Sequence, residues 1–285
     1  MRIEHVLTNY MSKKVEICIM DHLTKLENQS IFIIREAYAK FRNVAMLWSI
    51  GKDSTTLMWL LRKAFFGKVP FPVIHIDTGY KFKEIYSFRD YYAQEWGLNL
   101  IVSINEEAKA RGVSPQTGKL ECCNELKTNA LKQVIDTHRF KALYLGIRRD
   151  EHGIRAKERV FSPRDEDFEW DYKNQAPELW DQYKTKAAHE EHLRVHPLLG
   201  WTELDIWQYI LREKIPIVEL YLAKNGRRFR SIGCETCCSP VESGADSIEK
   251  IVEELKTSKV SERSGRAQDK ESAYIMQKLR SLGYM

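Results

Sequence analysis

Four short apolar runs in the first half of the chain have the length and composition of strands buried on both faces. They lie at 44–48, 71–79, 98–105 and 142–149. Around them are segments whose apolar residues recur at the spacing of a helix face; these lie at 15–42, 54–66, 81–96 and 122–138. Strands alternating with helices predict an α/β fold, with an open, mostly parallel sheet that carries helices on both faces.

The rest of the pattern divides the chain into regions. We predict an N-terminal helical segment at 1–43, an α/β domain at 44–240 and a C-terminal tail at 241–285. Within the domain, 151–190 is charged and aromatic and is predicted to be a long inserted loop. Thr202 has the residue type of a helix N-cap, with Glu203 and Asp205 in the first turn. A further helix is expected near 246–256.

Polar residues follow three of the predicted strands at the point where each ends. They are Ser49–Ser54 after the first strand, Asp77–Gly79 after the second and Arg148–Asp150 after the fourth. In open parallel sheets, ligands bind at the carboxyl ends of the strands. These three stretches are therefore the candidates for a binding site.

The stretch after the first strand reads S-I-G-K-D-S and leads directly into a helix. Gly51 lets the backbone approach an anion, and the amides at the start of the helix favour a phosphate. Lys52 adds a positive charge, with Ser49, Asp53 and Ser54 beside it. The spacing is not that of a Walker A motif. The alternative is an ordinary turn in which Asp53 or Ser54 caps the helix.

Composition narrows the class of protein. The net charge of +5 and the pI near 8.7 suit a small anionic substrate and are weak evidence for nucleic acid. No uncharged run approaches the roughly 20 residues of a membrane span. The first residues lack the apolar stretch of a signal peptide. We therefore predict a cytoplasmic protein that binds neither membranes nor nucleic acid.

Five of the six cysteines fall into two clusters. They are Cys122, Cys123, Cys234, Cys237 and Cys238, whereas Cys18 stands apart. Disulfides are not expected in a cytoplasmic chain. A Cys-Cys pair and a distant C-x-x-C supply four thiolates, the number that a zinc ion or an iron–sulfur cluster takes. The alternative is that these are reduced cysteines packed near the site.

The polar loop resembles the pyrophosphate-binding loop of the ATP pyrophosphatase superfamily, whose commoner form is S-G-G-x-D-S. Ile50 replaces the first glycine, which we expect the turn to accept if its φ angle is negative. Longer blocks, among them "LYLGIRRDEHGIRAKERVFSPRD" and "SERSGRAQDKES", resemble the small, ATP-binding subunits of bacterial sulfate adenylyltransferases. This likeness runs from near residue 20 to the end.

The resemblance implies that sulfate is joined to the α-phosphate of ATP, giving adenosine 5′-phosphosulfate and pyrophosphate. It implies a GTPase large subunit as partner, with GTP bound there, and ATP bound with Mg²⁺. ATP would contact the polar loop together with Asp77, Thr78 and Gly79, although these three are also suited to a turn that caps the next helix. The catalytic cations would be Lys52, Arg148, Arg149, Arg155 and Lys157. A solvated basic loop is the alternative for the last four.

Two other functions fit parts of the sequence. The cysteine pattern resembles that of adenylyl-sulfate reductases, which carry a [4Fe–4S] cluster bound here by Cys122, Cys123, Cys234 and Cys237. Those enzymes use a further cysteine in the C-terminal tail as nucleophile, and no cysteine follows Cys238. A sulfur-modification protein of the ATP pyrophosphatase type is the third hypothesis. His75, His192, His196, Trp201 and Trp207 are expected to be structural.

Overall fold

The computed structural model describes residues 21–175, 177–180, 183, 192–258 and 262–266. The helices are α1 His22–Phe41, α2 Lys52–Ala64, α3 Lys83–Glu95, α4 Glu106–Ala110, α5 Lys119–Cys123, α6 Ala130–His138, α7 Glu203–Glu213 and α8 Ile248–Thr257. The strands are β1 Val44–Leu47, β2 Val73–Ile76, β3 Leu100–Ser103, β4 Ala142–Tyr144, β5 Phe161–Arg164, β6 His192–Val195, β7 Arg227–Arg228 and β8 Val241–Glu242.

The main sheet has six strands in the order β3-β2-β1-β4-β6-β5. Every neighbouring pair is parallel except β5 with β6, which is antiparallel. All residues of β1, β2, β4 and β6 are buried, as expected for parallel strands covered on both faces. The α/β fold predicted from the hydrophobic pattern is confirmed.

The strand order reverses between β1 and β4. From β1 the chain moves outward to β2 and β3, then returns to place β4 on the other side of β1. Because crossovers between parallel strands are right-handed, the two directions of travel put their helices on opposite faces. The reversal opens a crevice at the carboxyl ends of β1 and β4, which is where such folds bind ligands.

Several predicted boundaries were wrong. Each strand covers only part of its apolar run; β4, for example, ends at Tyr144 whereas the run extends to 149. The helix predicted at 122–138 is interrupted by a π-helical segment at Asn124–Asn129. The predicted loop 151–190 contains β5, an edge strand whose sequence Phe-Ser-Pro-Arg carries a proline, which central strands rarely hold. Cys18 lies outside the described residues, as does the part of the predicted tail after residue 266.

The core confirms the structural roles expected for the aromatic and histidine residues. Trp201 and Trp207 are buried. His75 is buried in β2, with Nδ1 2.9 Å from the carbonyl oxygen of Trp48. His192 lies in β6 and His196 directly follows it, both buried. Within the part of the chain that the structure describes, no helix is long and apolar enough to cross a membrane.

Candidate active site

The loop after β1 turns directly into α2. Gly51 is the N-cap residue, and Lys52 is already in the helix. Ser54 Oγ donates a hydrogen bond to the carbonyl oxygen of Gly51 (3.1 Å) and lies 3.0 Å from Ser49 Oγ. Asp53 and Ser54 are therefore inside the first turn, and the alternative in which one of them caps the helix is wrong. Gly51, Lys52, Asp53 and Ser54 line a cavity at the carboxyl ends of β1 and β4, and the N-terminus of a helix favours a phosphate.

Ile50 has a φ angle of +66°, so the expectation of a negative angle was wrong. A β-branched residue rarely adopts this conformation. The Ile50 side chain is nonetheless buried in the core, and this burial offsets the backbone strain. The loop therefore makes a left-handed turn at the position where the commoner motif has a glycine, and the Ile50 side chain packs into the core beneath it.

Gly146, two residues after β4, lies directly against the start of α2. A Cβ atom at this position would lie 2.9 Å from Asp53 C, Ser54 Cα and Ser54 N. Real side chains do not approach a backbone this closely, so only glycine fits here. The contact holds the end of β4 against the first turn of α2 and fixes the width of the crevice.

A buried network of charges lies beneath the crevice. Lys52 Nζ contacts Asp53 Oδ2 at 3.1 Å and also forms an ion pair with Glu262. The Arg148 guanidinium forms ion pairs with Asp53 and Glu262 and contacts Asp150 Oδ1 at 2.9 Å. Lys52, Arg148 and Glu262 are all buried. The network therefore joins the loop after β1, the end of β4 and the C-terminal segment.

These contacts fix the ionisation of Glu262. Burial acts to raise the pKa of this carboxyl group, but Arg148 and Lys52 outweigh it and hold the pKa well below its ordinary value. Burial likewise acts to lower the pKa of Arg148, and Glu262 and Asp150 raise it above its ordinary value. Glu262 is therefore an anion held between two cations in the absence of any ligand.

A cavity of about 140 Å³ opens above this network. Its lining includes the loop after β1, the turn at Leu145–Ile147 after β4 and the segment Ser231–Gly233. Its charged side chains are Lys52, Asp53, Lys81, Lys127, Glu151, Arg155, Arg263 and Arg266. Apolar residues at the strand ends, such as Leu47 and Ile76, complete the wall. Most of the charged side chains that line this cavity are cationic, so it suits an anionic ligand with an apolar part.

The predicted catalytic cations separate into two groups. Lys52 and Arg155 line this cavity, where Arg155 forms an ion pair with Glu151, and Arg148 lies beneath it. Arg149 is exposed and lines a second cavity of about 120 Å³. Lys157 is exposed, with Nζ 4.6 Å from the centre of the Tyr172 ring. The structure therefore does not bring Arg149 and Lys157 to the cavity after β1.

The residues predicted after β2 make a turn beside the cavity. Asp77 Oδ1 accepts hydrogen bonds from the backbone N–H of Gly79 and from Tyr86 Oη, both at 2.8 Å. Thr78 is buried, with Oγ1 3.3 Å from Cys234 Sγ. Gly79 has a φ angle of +79°. None of the three lines the cavity, so the geometry favours the turn interpretation for Asp77 and Gly79.

The four cysteines of the predicted metal site are buried, and within the described part of the chain none forms a disulfide bond. Burial, together with the neighbouring Cys123 and Cys234, raises the pKa of the Cys122 thiol to about 12. Burial also acts to raise the pKa of Cys234, but Lys127, Lys81 and the Thr78 hydroxyl outweigh it and lower the pKa to about 6. Thiols from the two cysteine clusters, such as those of Cys122 and Cys234, are therefore neighbours in space although they are far apart in sequence. Among the described residues, however, no three histidine, cysteine or acidic side chains converge to hold a metal ion.

Sequence reasoning missed several residues of the cavity. Tyr221 Oη accepts the backbone N–H of Lys52 at 2.9 Å, and the turn after β2 and the C-terminal segment contribute Lys81, Arg263 and Arg266. Arg263 Nη1 contacts Glu151 Oε1 at 2.9 Å. The basic S-E-R-S-G-R stretch was the available signal for the last two. It lies within the predicted tail, more than 200 residues from the loop it meets.

Fold and site together define an α/β nucleotide-binding class of protein, with a polar loop that enters a helix at the point where the strand order reverses. A family model for the phosphoadenosine phosphosulfate reductase domain matches residues 43–240. Two solved structures share the fold. A phosphoadenylyl-sulfate reductase from Candida auris is 17% identical, with a TM-score of 0.51 over 77% of this chain and 96% of that one. An FMN adenylyltransferase from Candida glabrata in complex with ATP is 20% identical, with a TM-score of 0.55 over 83% of this chain and 70% of that one.

Curated relatives are much more similar in sequence. A sulfate adenylyltransferase subunit 2 of Pseudomonas putida is 46% identical over 93% of this chain and 98% of the relative. The proteins of that name from Pseudomonas fluorescens and Pseudomonas syringae are 45% identical with the same coverage. The chain belongs to the sulfate adenylyltransferase subunit 2 family, within the larger group that shares the phosphoadenosine phosphosulfate reductase domain.

Proposed function

We propose that this chain transfers the adenylyl group of ATP to sulfate and releases pyrophosphate. The observation that carries the proposal is the cation-rich cavity at the strand reversal, built on the phosphate loop in a member of this family. The apolar strand ends suit the adenine ring, and the start of α2 suits the leaving pyrophosphate. Reactions at phosphorus depend mainly on positioning and on stabilising charge, which this cavity supplies.

Each residue of the cavity has a proposed role in binding ATP. The Lys52 ammonium group and the backbone amides of Asp53 and Ser54 hold the β- and γ-phosphates, while the Lys52 amide is held by Tyr221. Arg155 and Arg263, which both pair with Glu151 and line the cavity, are proposed to contact the phosphate chain from the other wall. Arg148 keeps Asp53 and Glu262 in position from below. We include Ser49, Gly51 and Ser54 in the ATP site because they line the cavity, and Thr78 as a neighbour of its wall.

A partner subunit is part of the proposal. The relatives are named as subunit 2, and the product is a mixed anhydride whose formation from ATP is unfavourable. We propose that a GTPase large subunit drives the reaction through GTP hydrolysis, and that ATP arrives as its Mg²⁺ chelate, in which the metal neutralises phosphate charge.

The test is an assay of the full chain, co-expressed with any GTPase encoded next to it and purified without oxygen. Formation of adenosine 5′-phosphosulfate and pyrophosphate is measured with ATP and sulfate, with and without GTP. Product that depends on sulfate and increases with GTP supports the proposal. Consumption of adenosine 5′-phosphosulfate with a thiol reductant, in place of its formation, would establish the reductase alternative.

A metal at the cysteines is a separate proposal, either a [4Fe–4S] cluster or zinc. It is supported by four buried thiols that influence one another's pKa values. The thiols do not converge in the described structure, so they would have to rotate toward one another to hold a metal. Measuring iron, zinc and sulfide in protein purified without oxygen shows whether the cysteines bind a cluster, a zinc ion or no metal. Cys122→Ser should abolish the metal and Cys238→Ser should not; metal content unaffected by Cys122→Ser would contradict this site.

A further inference from the structure

The cations of the cavity fall into two sets with different partners. Lys52 and Arg148 are paired with Asp53 and Glu262, while Arg155 and Arg263 share Glu151. Each of these four cations already has a carboxylate partner. The set is therefore close to electrical balance before any ligand enters.

The second set lies where the turn after β2 meets the C-terminal segment. Lys81 and Arg266 both line the cavity, with Lys127 beside them. Among the described residues, neither Lys81 nor Arg266 forms an ion pair with a carboxylate. Arg266 is 5% exposed, and within the described part of the chain its Nε atom has no hydrogen-bond partner. Cys234 and Asp77 lie close enough to attract Lys81, while Lys127 and Arg266 repel it. Three cations thus face two acidic side chains, and the positive charge that remains favours an anionic ligand at this end of the cavity.

The surrounding loop holds Arg266 by contacts with a sulfur atom and the backbone. Its Nη1 atom donates to Cys238 Sγ at 3.1 Å, and the backbone N–H of Gly233 donates to the same sulfur at 3.1 Å. A Cβ atom at Gly233 would lie 2.2 Å from Arg266 Nη1, so the loop has a glycine where the guanidinium lies against it. This arrangement orients Arg266 and leaves its charge for a ligand.

We propose that Lys81 and Arg266, with Lys127 beside them, form the subsite that binds the sulfate. This inference rests on the proposed adenylyl transfer. The attacking and leaving oxygens of such a transfer lie roughly in line on opposite sides of the phosphorus. Sulfate therefore needs cations other than those that hold the pyrophosphate. An ammonium and a guanidinium match the two charges of sulfate, and the guanidinium fork suits a tetrahedral oxyanion.

Two variants and two controls test the subsite. Lys81→Met and Arg266→Met remove one charge each, and the exposed Lys83→Met and Arg227→Met are the controls. With the full chain and its partner, we expect each test variant to raise the KM for sulfate roughly tenfold or more, with the KM for ATP within about twofold. Lys81→Arg should recover most of the loss, which also shows that the position folds. An unchanged sulfate KM, or an equal loss for ATP, would overturn the subsite.

Calorimetry separates this inference from the proposed function. Binding of adenosine 5′-phosphosulfate is compared with binding of AMP, which lacks the sulfate. If the wild type shows no sulfate-dependent turnover but prefers the phosphosulfate, and the variants lose that preference, the subsite stands and the proposed function fails. If the wild type turns over and the variants keep the preference, the subsite fails alone. A wild type with neither turnover nor preference overturns both.

Discussion

Lys52, at the start of α2, and Glu262, in the C-terminal segment, form a buried ion pair although 210 residues separate them in sequence. The same carboxylate also pairs with Arg148 after β4. Glu262 thus places a negative charge beside the loop that we propose for phosphate. An anionic side chain at this position balances the cations of the loop while no nucleotide is bound.

Replacing Glu262 with glutamine should separate stability from nucleotide binding. Glu262→Gln leaves Lys52 and Arg148 with Asp53 as their shared counterion, and the free energy of unfolding should fall by about 3 kcal/mol. Because phosphates can then supply the missing charge, ATP should raise the Tm of the variant more than that of the wild type. Thermal unfolding with and without ATP measures both effects. Glu253→Gln, at an exposed glutamate, is the control; an equal or smaller ATP shift in Glu262→Gln would contradict this account.

Lys52 should matter more for turnover than for folding. Lys52→Met removes a charge that we place on the phosphates, so sulfate-dependent pyrophosphate release should fall by about 10²–10³-fold. Its stability loss should be smaller than that of Glu262→Gln, because Arg148 remains to hold both carboxylates. Steady-state pyrophosphate release is compared with that of Lys40→Met, an exposed lysine of α1. Turnover near the wild-type value would exclude a phosphate role for Lys52.

Gly146 should not tolerate even a methyl group. In Gly146→Ala the added Cβ meets the backbone of Asp53 and Ser54, which should push α2 away and cost about 1–3 kcal/mol of stability. The same shift should weaken ATP binding. Gly244→Ala is the matched control, because a Cβ there has nothing within 4 Å. Denaturant unfolding and ATP titration measure the two effects, and identical behaviour of the two variants would refute the close contact.

At Ile50 a glycine variant should be more stable than an alanine variant, which is the reverse of the usual order. Both Ile50→Ala and Ile50→Gly lose the buried side chain, but glycine relieves the strain of the positive φ angle. We therefore expect Ile50→Gly to be more stable than Ile50→Ala by about 1 kcal/mol. At Ile34, buried in α1, alanine should instead be the more stable, since glycine weakens a helix. Equilibrium unfolding of the four variants checks this, and the usual order at both positions would show that Ile50 is unstrained.

Acidification below about pH 6.5 should destabilise the fold through its buried histidines. Burial lowers the pKa of His75 to about 4 and that of His196 to about 3, from the ordinary value of 6.5. Between these pH values the two imidazoles are protonated in the unfolded chain but not in the folded chain. The free energy of unfolding therefore falls as the pH decreases from 6.5 toward 4. At pH 5 each group costs about 1–2 kcal/mol.

The readout is the difference in Tm between pH 7.5 and pH 5. His196→Gln should reduce this difference, whereas His138→Gln, at an exposed histidine, should leave it unchanged. The change in the difference, not the absolute Tm, carries the prediction, because either variant also alters packing. A pH dependence of His196→Gln equal to that of the wild type would mean that His196 is protonated equally in both states.

The sequence by itself determined the sheet and the polar loop after β1 that we propose for phosphate. Apolar runs alternating with helical periodicity reflect burial on two faces, which is a local property of each segment, and S-I-G-K-D-S is a contiguous motif. Even so, the φ angle of Ile50 was predicted with the wrong sign, because packing beneath the loop outweighs the backbone preference of a single residue.

Only the tertiary structure decided which charges meet. Arg148 and Arg149 are adjacent in sequence, yet one lies buried against Asp53 and Glu262 and the other lines a different cavity. Lys81, Tyr221 and Arg266 reach the site from elements far apart along the chain. No local pattern records such meetings, because they depend on the order of the strands and on the path of the C-terminal segment back to the crevice.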